Sequence, residues 1–280
     1  MADFTFAPLT PVQFLDRAEQ AFPHRSAVVD GDVRLTYAEL ATRCRRLVTA
    51  LAGAGVSPGD RVAALCANSH VMLELHHAVP ARGAVLVAMN VRLAVEEMVY
   101  ILEHSGAQLL VATSEFESQA RELAARTGVR VVVAGGPTDE YESWLPDSGS
   151  DTDREALHEQ DLLAINYTSG TTGRPKGVMY HHRGAYLQAV AMAFHAGLGT
   201  STSYLWTLPM FHCNGWCFTW AVTAAGGTHV CLRRVDTAEI WRRLLEDGVT
   251  HLSAAPTVLA MIAEDNRAAA LPRRIHVDTG

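Results

Sequence analysis

"NYTSGTTGRPKGVMY", Asn166 to Tyr180, directly follows an apolar run, "DLLAI", Asp161 to Ile165. Four Ser/Thr hydroxyls, three glycines, a proline and a lysine fall between Tyr167 and Val178. Globular chains rarely concentrate such residues just behind an apolar strand, and the chemistry of the loop suits a polyphosphate. Gly170, Gly173 and Gly177 permit positive φ and let backbone N–H groups face one concave point, an anion nest. Thr168, Ser169, Thr171 and Thr172 add hydroxyl donors, Lys176 supplies a point cation, and Pro175 stiffens its approach. Hydrogen bonds to a charged group contribute about 1.5–3 kcal/mol each, so a few such donors would hold a triphosphate. A Walker A loop requires GxxxxGK[ST]; here the lysine precedes its glycine and no Ser or Thr follows it to hold magnesium. A bare "SGTTG" would read as a solvated turn, but the preceding strand and the full string argue against that.

Outward from the loop, the first part of the chain alternates helices and strands. "TPVQFLDRAEQAF" is amphipathic, with Thr10 placed as N-cap and Pro11 in the first turn. "SAVVDGDVRLTY" predicts a hairpin turning at Asp30-Gly31. "YAELATRCRRLVTALAGAG", "HVMLELHHAVPAR", "AVEEMVYILEHSG" and "SEFESQARELAARTG" predict helices, with strands at "RVAALC", "AVLVAM", "AQLLVAT" and "VRVVVAG". Residues 135–160 are acidic and turn-rich and read as a long surface connection, after which a second sheet is expected to begin at Asp161. The alternation then resumes through "SYLWTL", "THVCL", "THLSAA" and "RIHVD". Strands alternating with helices predict an α/β fold with two parallel-rich sheets layered with helices. The expected division is 1–160 for a first subdomain and 161–280 for a second that carries the loop. No internal repeat at a fixed period is visible.

The 280 residues, 49% apolar and 19% charged, describe a globular chain. A formal charge of −7 argues against a nucleic-acid partner, whose footprint would be basic. An anionic ligand must therefore be held by local donors rather than by the global field. No signal peptide is evident in "MADFTFAPLTPVQF", and no run has the roughly 18 uninterrupted apolar residues of a membrane span. Five scattered cysteines form no zinc pattern and suit a reducing, cytoplasmic setting. The CxxxC spacing of Cys213 and Cys217 lacks a second pair, and no metal site is expected. The adjacent pairs His76-His77 and His181-His182 point in different directions on any regular element, so ligand geometry is not expected of them.

The string "YTSGTTGRPKGV" resembles the phosphate-binding signature of the adenylate-forming superfamily, which includes acyl- and aryl-CoA synthetases, luciferases and peptide-synthetase adenylation domains. The resemblance extends over nearly the whole chain, through "LTYAEL" (35–40), "GVSPGDRVAAL" (55–65), "GAVLVAMNVRL" (83–93), "LPMFHCNGW" (208–216) and "VTHLSAAPTVLAMI" (249–262). It implies the N-terminal large domain of that fold, and a reaction in which a carboxylic acid attacks the α-phosphate of ATP. Acyl-AMP and pyrophosphate form, and coenzyme A then displaces AMP to give the thioester. It also implies that Thr168, Ser169, Gly170, Thr171, Thr172, Gly173 and Lys176 grip the β- and γ-phosphates.

"LPMFHCNGW" resembles the family's second signature, in which His212 would border the acyl pocket and orient the carboxylate, with Asn214, Gly215 and Trp216 lining it. Taken alone, His212 would read as a satisfied core histidine. Trp216, Phe218 and Trp220 read first as core packing, with one or two of them flooring the acyl site. The wording "PMFHCNGW" is most similar to short- and medium-chain fatty acyl, or methylthiopropionate-type, CoA ligases.

The resemblance further implies ATP, Mg2+ and coenzyme A as ligands of a longer protein. Its adenine loop, magnesium-linked Glu, ribose-binding Asp, hinge and small C-terminal domain with the catalytic lysine would lie beyond Gly280. The chain is thus expected to be the N-terminal part of a carboxylic acid–CoA ligase, inactive alone. The alternative is a non-catalytic nucleotide- or acyl-binding module that functions at this length.

Overall fold

The computed structural model describes residues 6–155, 157–168 and 174–279. The chain runs through α1 (Val12–Ala21), β1 (Ser26–Asp30), β2 (Val33–Thr36), α2 (Tyr37–Gly53), β3 (Arg61–Leu65) and α3 (His70–Ala81). β4 (Val85–Ala88), α4 (Val95–Ser105), β5 (Ala107–Thr113), α5 (Glu117–Thr127), β6 (Arg130–Ala134) and the short α6 (Glu140–Trp144) follow. Next come β7 (Leu162–Thr168), β8 (Lys176–His181), α7 (His182–His195), β9 (Ser203–Leu205), the single turn α8 (Cys213–Trp216) and α9 (Phe218–Ala225). β10 (Thr228–Val230), α10 (Thr237–Glu246), β11 (His251–Ser253), α11 (Pro256–Glu264) and β12 (His276–Asp278) complete the described chain.

Local chemistry sets the helix starts. At α2 the Thr36 side chain accepts from the Glu39 amide while the Glu39 carboxylate accepts from the Thr36 amide, a reciprocal cap that satisfies two otherwise orphaned donors. At α1 the expected cap is corrected by one position: Pro11 occupies the N-cap, while the Thr10 hydroxyl accepts from the Val12 amide at 3.3 Å and lies 2.8 Å from His182 Nδ1. The hydroxyl serves a tertiary partner as well as the helix start.

Two six-stranded sheets form, ordered β6-β5-β3-β4-β7-β8 and β12-β11-β9-β10-β1-β2. In each, five strands run parallel and the last closes an antiparallel hairpin, β7–β8 in one and β1–β2 in the other. The order of four parallel strands, β6-β5-β3-β4 and β12-β11-β9-β10, repeats in both sheets, and a hairpin that follows them in the chain closes one while a hairpin that precedes them closes the other. The expectation that a second sheet begins at Asp161 is corrected. β7 joins β4 of the first sheet, and β1 of the first half pairs with β10 of the other. The boundary between 160 and 161 accordingly does not coincide with a boundary between sheets.

One core cluster joins both sheets, taking Val28 and Tyr204 from one, Val62, Leu86 and Ala164 from the other, and the apolar faces of α1, α2, α3, α7 and α9. The outer face of the first sheet is covered by Met98, Ile101 and Leu102 of α4 with Leu123 of α5. That of the second is covered by Ile240, Trp241 and Leu244 of α10 with Ile262 of α11. Burial on both faces explains why the central strands read as continuous apolar runs rather than alternating ones.

The acidic connection 135–160 is more than a surface strap. Tyr141 is fully buried and its hydroxyl donates to Glu74 Oε2 at 2.6 Å, while Arg43 Nε donates to Glu74 Oε1 at 2.5 Å. The acid-rich composition that suggests solvent instead supplies counter-ions: Glu142 pairs with Arg43, Glu155 with Arg82, and Glu159 with Arg183.

Three core histidines make stability depend on pH. Trp206 Nε1 donates to His229 Nδ1 at 3.1 Å, which leaves that nitrogen without a proton, and Thr223 Oγ1 lies 3.0 Å from His229 Nε2 and 3.3 Å from His77 Nε2. Burial pushes His76 down to about 4 and His77 and His229 down to about 3. Unfolding returns each imidazole to about 6.5, so the unfolded chain binds more protons below that pH. The stabilisation is complete above about pH 6.5 and is lost as pH falls toward 4, by up to about 1.4 kcal/mol per pH unit for each group. Urea unfolding midpoints are expected to drop steeply between pH 6.5 and 4.5; a flat profile across that window contradicts neutral burial of the three rings.

Candidate functional site

The loop singled out in the sequence spans the open end of the β7–β8 hairpin. Thr168 pairs with Lys176 and Tyr167 with Gly177. Glycine is required at 177 by packing, because a Cβ there would lie 2.9 Å from Ile165 Cγ2 and 3.3 Å from Tyr167 Cζ. Both flanks are fastened to α4: the Tyr167 hydroxyl lies 2.8 Å from His104 Nδ1, and the Arg174 guanidinium sits over the Tyr100 ring at 5.3 Å. Thr168 and Lys176 are exposed, whereas Ser169, Gly170, Thr171, Thr172 and Gly173 lie outside the described residues. Lys176 is the only lysine among the 23 Lys and Arg residues of the chain. An ammonium acts as a compact point charge where a guanidinium would favour forked pairing, which suits a cation that meets a phosphate from several directions.

The same strand leads to a cavity of about 590 Å³. Met179, Tyr180 and His181 of β8 line it, with Gly184, Ala185, Gln188 and Met192 of α7, Cys213, Trp216 and Cys217 of the 213–217 turn, and Thr279. The lining is largely apolar, and the volume is in the range of small-molecule sites. Burial and the neighbouring Cys213 thiol push the Tyr180 phenol up to about 12, so the hydroxyl stays neutral and can donate. His181 caps α7, accepting from the Gly184 amide at Nδ1 (2.9 Å), while His182 lies next to Thr10; the adjacent pair diverges as expected. His76 and His77 diverge likewise, toward Asn214 and Thr223.

The turn itself has an unusual backbone. Cys213 (φ 48°), Asn214 (48°), Gly215 (58°), Trp216 (51°) and Cys217 (63°) are all left-handed, four of them with a Cβ. Left-handed helical backbone costs about 1–2 kcal/mol per non-glycine residue, so the surrounding contacts must over-determine it. Local bonds contribute: Gly215 N donates to His212 O (2.8 Å), Cys217 N to Asn214 O (3.1 Å), and Thr219 Oγ1 to the same carbonyl (3.2 Å). Upstream, Asn68 Nδ2 donates to the carbonyls of Trp206 and Leu208, and Asn68 Oδ1 accepts from the Met210 amide.

The structure separates the residues grouped by the second signature. Trp216 lines the cavity, while Asn214 and Gly215 are buried behind it and His212 is exposed just ahead of Cys213. The core-histidine reading of His212 is thereby corrected. Phe218 and Trp220 are fully buried in the core. Sequence reasoning missed Tyr180, Gln188, Met192 and Asn68; the alternation in "GVMYH" was the available signal for β8, but nothing local marked the other three. Among the described residues no group of three or more His, Cys, Asp or Glu could hold a metal ion; Cys213 and Cys217 line the cavity. No helix is long and apolar enough to cross a membrane among the described residues.

The sequence matches the AMP-binding enzyme family over residues 15–277. The chain belongs to that family. It is similar to a peroxisomal acetate/butyrate–CoA ligase of Arabidopsis thaliana, 36% identical over 301 residues, covering 98% of this chain and 53% of the relative. A 4-hydroxybutyrate–CoA ligase of Metallosphaera sedula is 35% identical over 280 residues, covering 92% of this chain and 50% of the relative. The N-terminal domain of FACL13 from Mycobacterium tuberculosis superimposes with a TM-score of 0.87 at 27% identity, covering 96% of this chain and 69% of that one. An o-succinylbenzoate coenzyme A synthetase of Bacillus subtilis, in complex with AMP, does so with a TM-score of 0.83 at 28% identity, covering 98% and 54%. The chain spans about half the length of the curated relatives it matches. The N-terminal domain architecture of the adenylate-forming fold expected from the motifs is the one observed.

Gly215 tests the turn. Its φ of +58° is left-handed, and a Cβ would lie 2.6 Å from Trp206 Cζ3 and 2.9 Å from Cη2. Gly215→Ala is expected to destabilise the chain by about 2–5 kcal/mol, from left-handed strain plus overpacking against a buried ring. Urea unfolding at neutral pH measures it; a loss below about 0.5 kcal/mol would show that the turn relaxes freely.

Proposed function

We propose that this chain forms the N-terminal portion of an ATP-dependent carboxylic acid–CoA ligase, holding the phosphate loop and the acyl cavity. One observation carries the reading: β8 starts at Lys176 and lines the apolar cavity from Met179 to His181. From Lys176 to Tyr180 the strand spans roughly 13 Å at about 3.3 Å per residue, so polyphosphate and acyl group would sit at two ends of one rigid element. In this reading Thr168 to Lys176 bind the β- and γ-phosphates, Trp216 borders the acyl chain, and His212 orients the carboxylate for attack on the α-phosphate. The apolar lining suits a short or medium acyl or aryl acid. Coenzyme A would enter for thioester formation in the complete protein. Magnesium would neutralise phosphate charge there; the described residues offer no ligand cluster for it. A reducing compartment such as the cytoplasm fits the five free cysteines.

The single lysine makes loop binding readable in the 280-residue chain. Pyrophosphate is expected to protect Lys176 from amine acylation, scored by peptide mass, while acid-dependent exchange of labelled pyrophosphate into ATP stays undetectable. Contacts to adenine, ribose and magnesium are assigned to residues beyond this chain, and each absent charged contact costs about 1.5–3 kcal/mol. Loss of a preorganised cation at the transferred adenylate costs on the order of a hundredfold or more in rate. Robust exchange abolished by Lys176→Ala would show that this chain is catalytic by itself. The mass of the protein in its host separates the two functional readings. About twice 30.3 kDa supports the ligase portion, and 30.3 kDa supports a binding module complete at this length.

His212 is tested in the complete ligase. His212→Ala is expected to raise KM for the acid far more than KM for coenzyme A, because it removes carboxylate positioning. Unchanged acid KM and kcat would remove His212 from the site.

A further inference from the structure

Behind the cavity wall lies a buried chain of hydrogen bonds. His76 Nδ1 is 2.7 Å from the Met72 carbonyl, which only accepts, so Nδ1 carries the proton and Nε2 is an acceptor. Asn214 Nδ2 lies 3.0 Å from that Nε2 and therefore donates to it. The Asn214 carboxamide is thus oriented, with Oδ1 turned to Asn166, whose Nδ2 donates to it at 2.5 Å. The bonds run one way, from Asn166 through Asn214 and His76 to the backbone of α3, and among the described residues Asn166 Oδ1 has no partner. All three side chains are buried. They come from three separate places: Asn166 from β7, two residues before the loop flank Thr168; Asn214 from the left-handed turn; His76 from α3 in the central core.

We propose that the Asn166–Asn214–His76 relay is a positioning element that pins the left-handed turn walling the cavity to the strand leading into the phosphate loop. The turn needs such a lock because Cys213, Trp216 and Cys217 sit in a left-handed conformation they disfavour, and the Asn214 side chain reaches from the turn to β7 and α3 to hold it. A buried polar pair that loses one member leaves the other unsatisfied, so breaking any link loosens the turn. The consequence for catalysis, a fixed separation between phosphate and acyl groups, rests on the functional reading given above. Cysteine labelling reports on the turn alone, so the two can fail separately.

Cys213 supplies the readout: it is half-buried at the cavity wall, whereas Cys44, Cys66, Cys217 and Cys231 are buried. Iodoacetamide labelling of each cysteine, followed by peptide mass in the folded 280-residue chain, compares two substitutions at one site. His76→Gln keeps an acceptor for Asn214 but not the ring; His76→Phe keeps a ring but no acceptor. The relay predicts Cys213 labelling within about twofold of the unaltered chain for His76→Gln and an increase of about tenfold for His76→Phe. Asn166→Leu, on a different element, is expected to reproduce the His76→Phe result. Simple packing predicts the reverse order, since Phe is closer than Gln to the shape of His. That reversal, unchanged Cys213 labelling in both His76→Phe and Asn166→Leu, or equal exposure of Cys44, Cys66 and Cys231 would overturn the proposal.

Discussion

The arrangement depends on the position of β7, hydrogen-bonded in parallel to β4 on one side and antiparallel to β8 on the other. The parallel pairing anchors the loop's entry strand to the interior of the sheet. The antiparallel return brings Lys176 back opposite Thr168 and sends β8 along the edge toward the cavity. A crossover helix in place of the hairpin would carry the chain away from the loop's own entry point. Because the return is immediate, one strand both presents the sole lysine and forms part of an apolar wall.

The two sheets share the order of four parallel strands, and each is finished by a hairpin from the opposite half of the chain. This exchange ties the halves together more firmly than a linker could. The β1–β2 hairpin enters the chain long before the sheet it completes, and β7–β8 completes a sheet whose other strands have already passed. The core between the sheets therefore cannot be partitioned at residue 160, since Val28 and Ala164 belong to the same cluster.

Charge is distributed with similar economy. Arginines carry nearly all the structural ion pairs, including Arg43 with Glu74 and Glu142, Arg154 with Asp16, and Arg233 with Asp30 and Glu115. Forked guanidinium groups suit carboxylates held in fixed geometry. The exposed ammonium of Lys176 stands at the loop instead. With a net charge of −7, any attraction for an anion at the loop would have to be local.

Much of this was written locally in the sequence. The apolar runs and capping residues marked the helices and strands, and the run of glycines and hydroxyls before "RPKG" marked the loop, because periodicity and turn chemistry act over a few residues. Sheet membership was not legible: β1 and β7 look no different from strands that pair with their neighbours, and a partner strand is chosen by long-range burial. The buried Tyr141 in an acidic stretch, the contact of Thr10 with His182, and the relay through Asn166, Asn214 and His76 were equally invisible. Asn-Gly at 214–215 hinted at positive φ, but a turn with Cys and Trp in the same conformation is held by partners 48 and 138 residues away in sequence. Sequence determined which segments could form a phosphate loop and a layered α/β core. Only tertiary packing decided what they face, since the hydrogen bonds that fix the cavity wall join side chains that no local pattern relates.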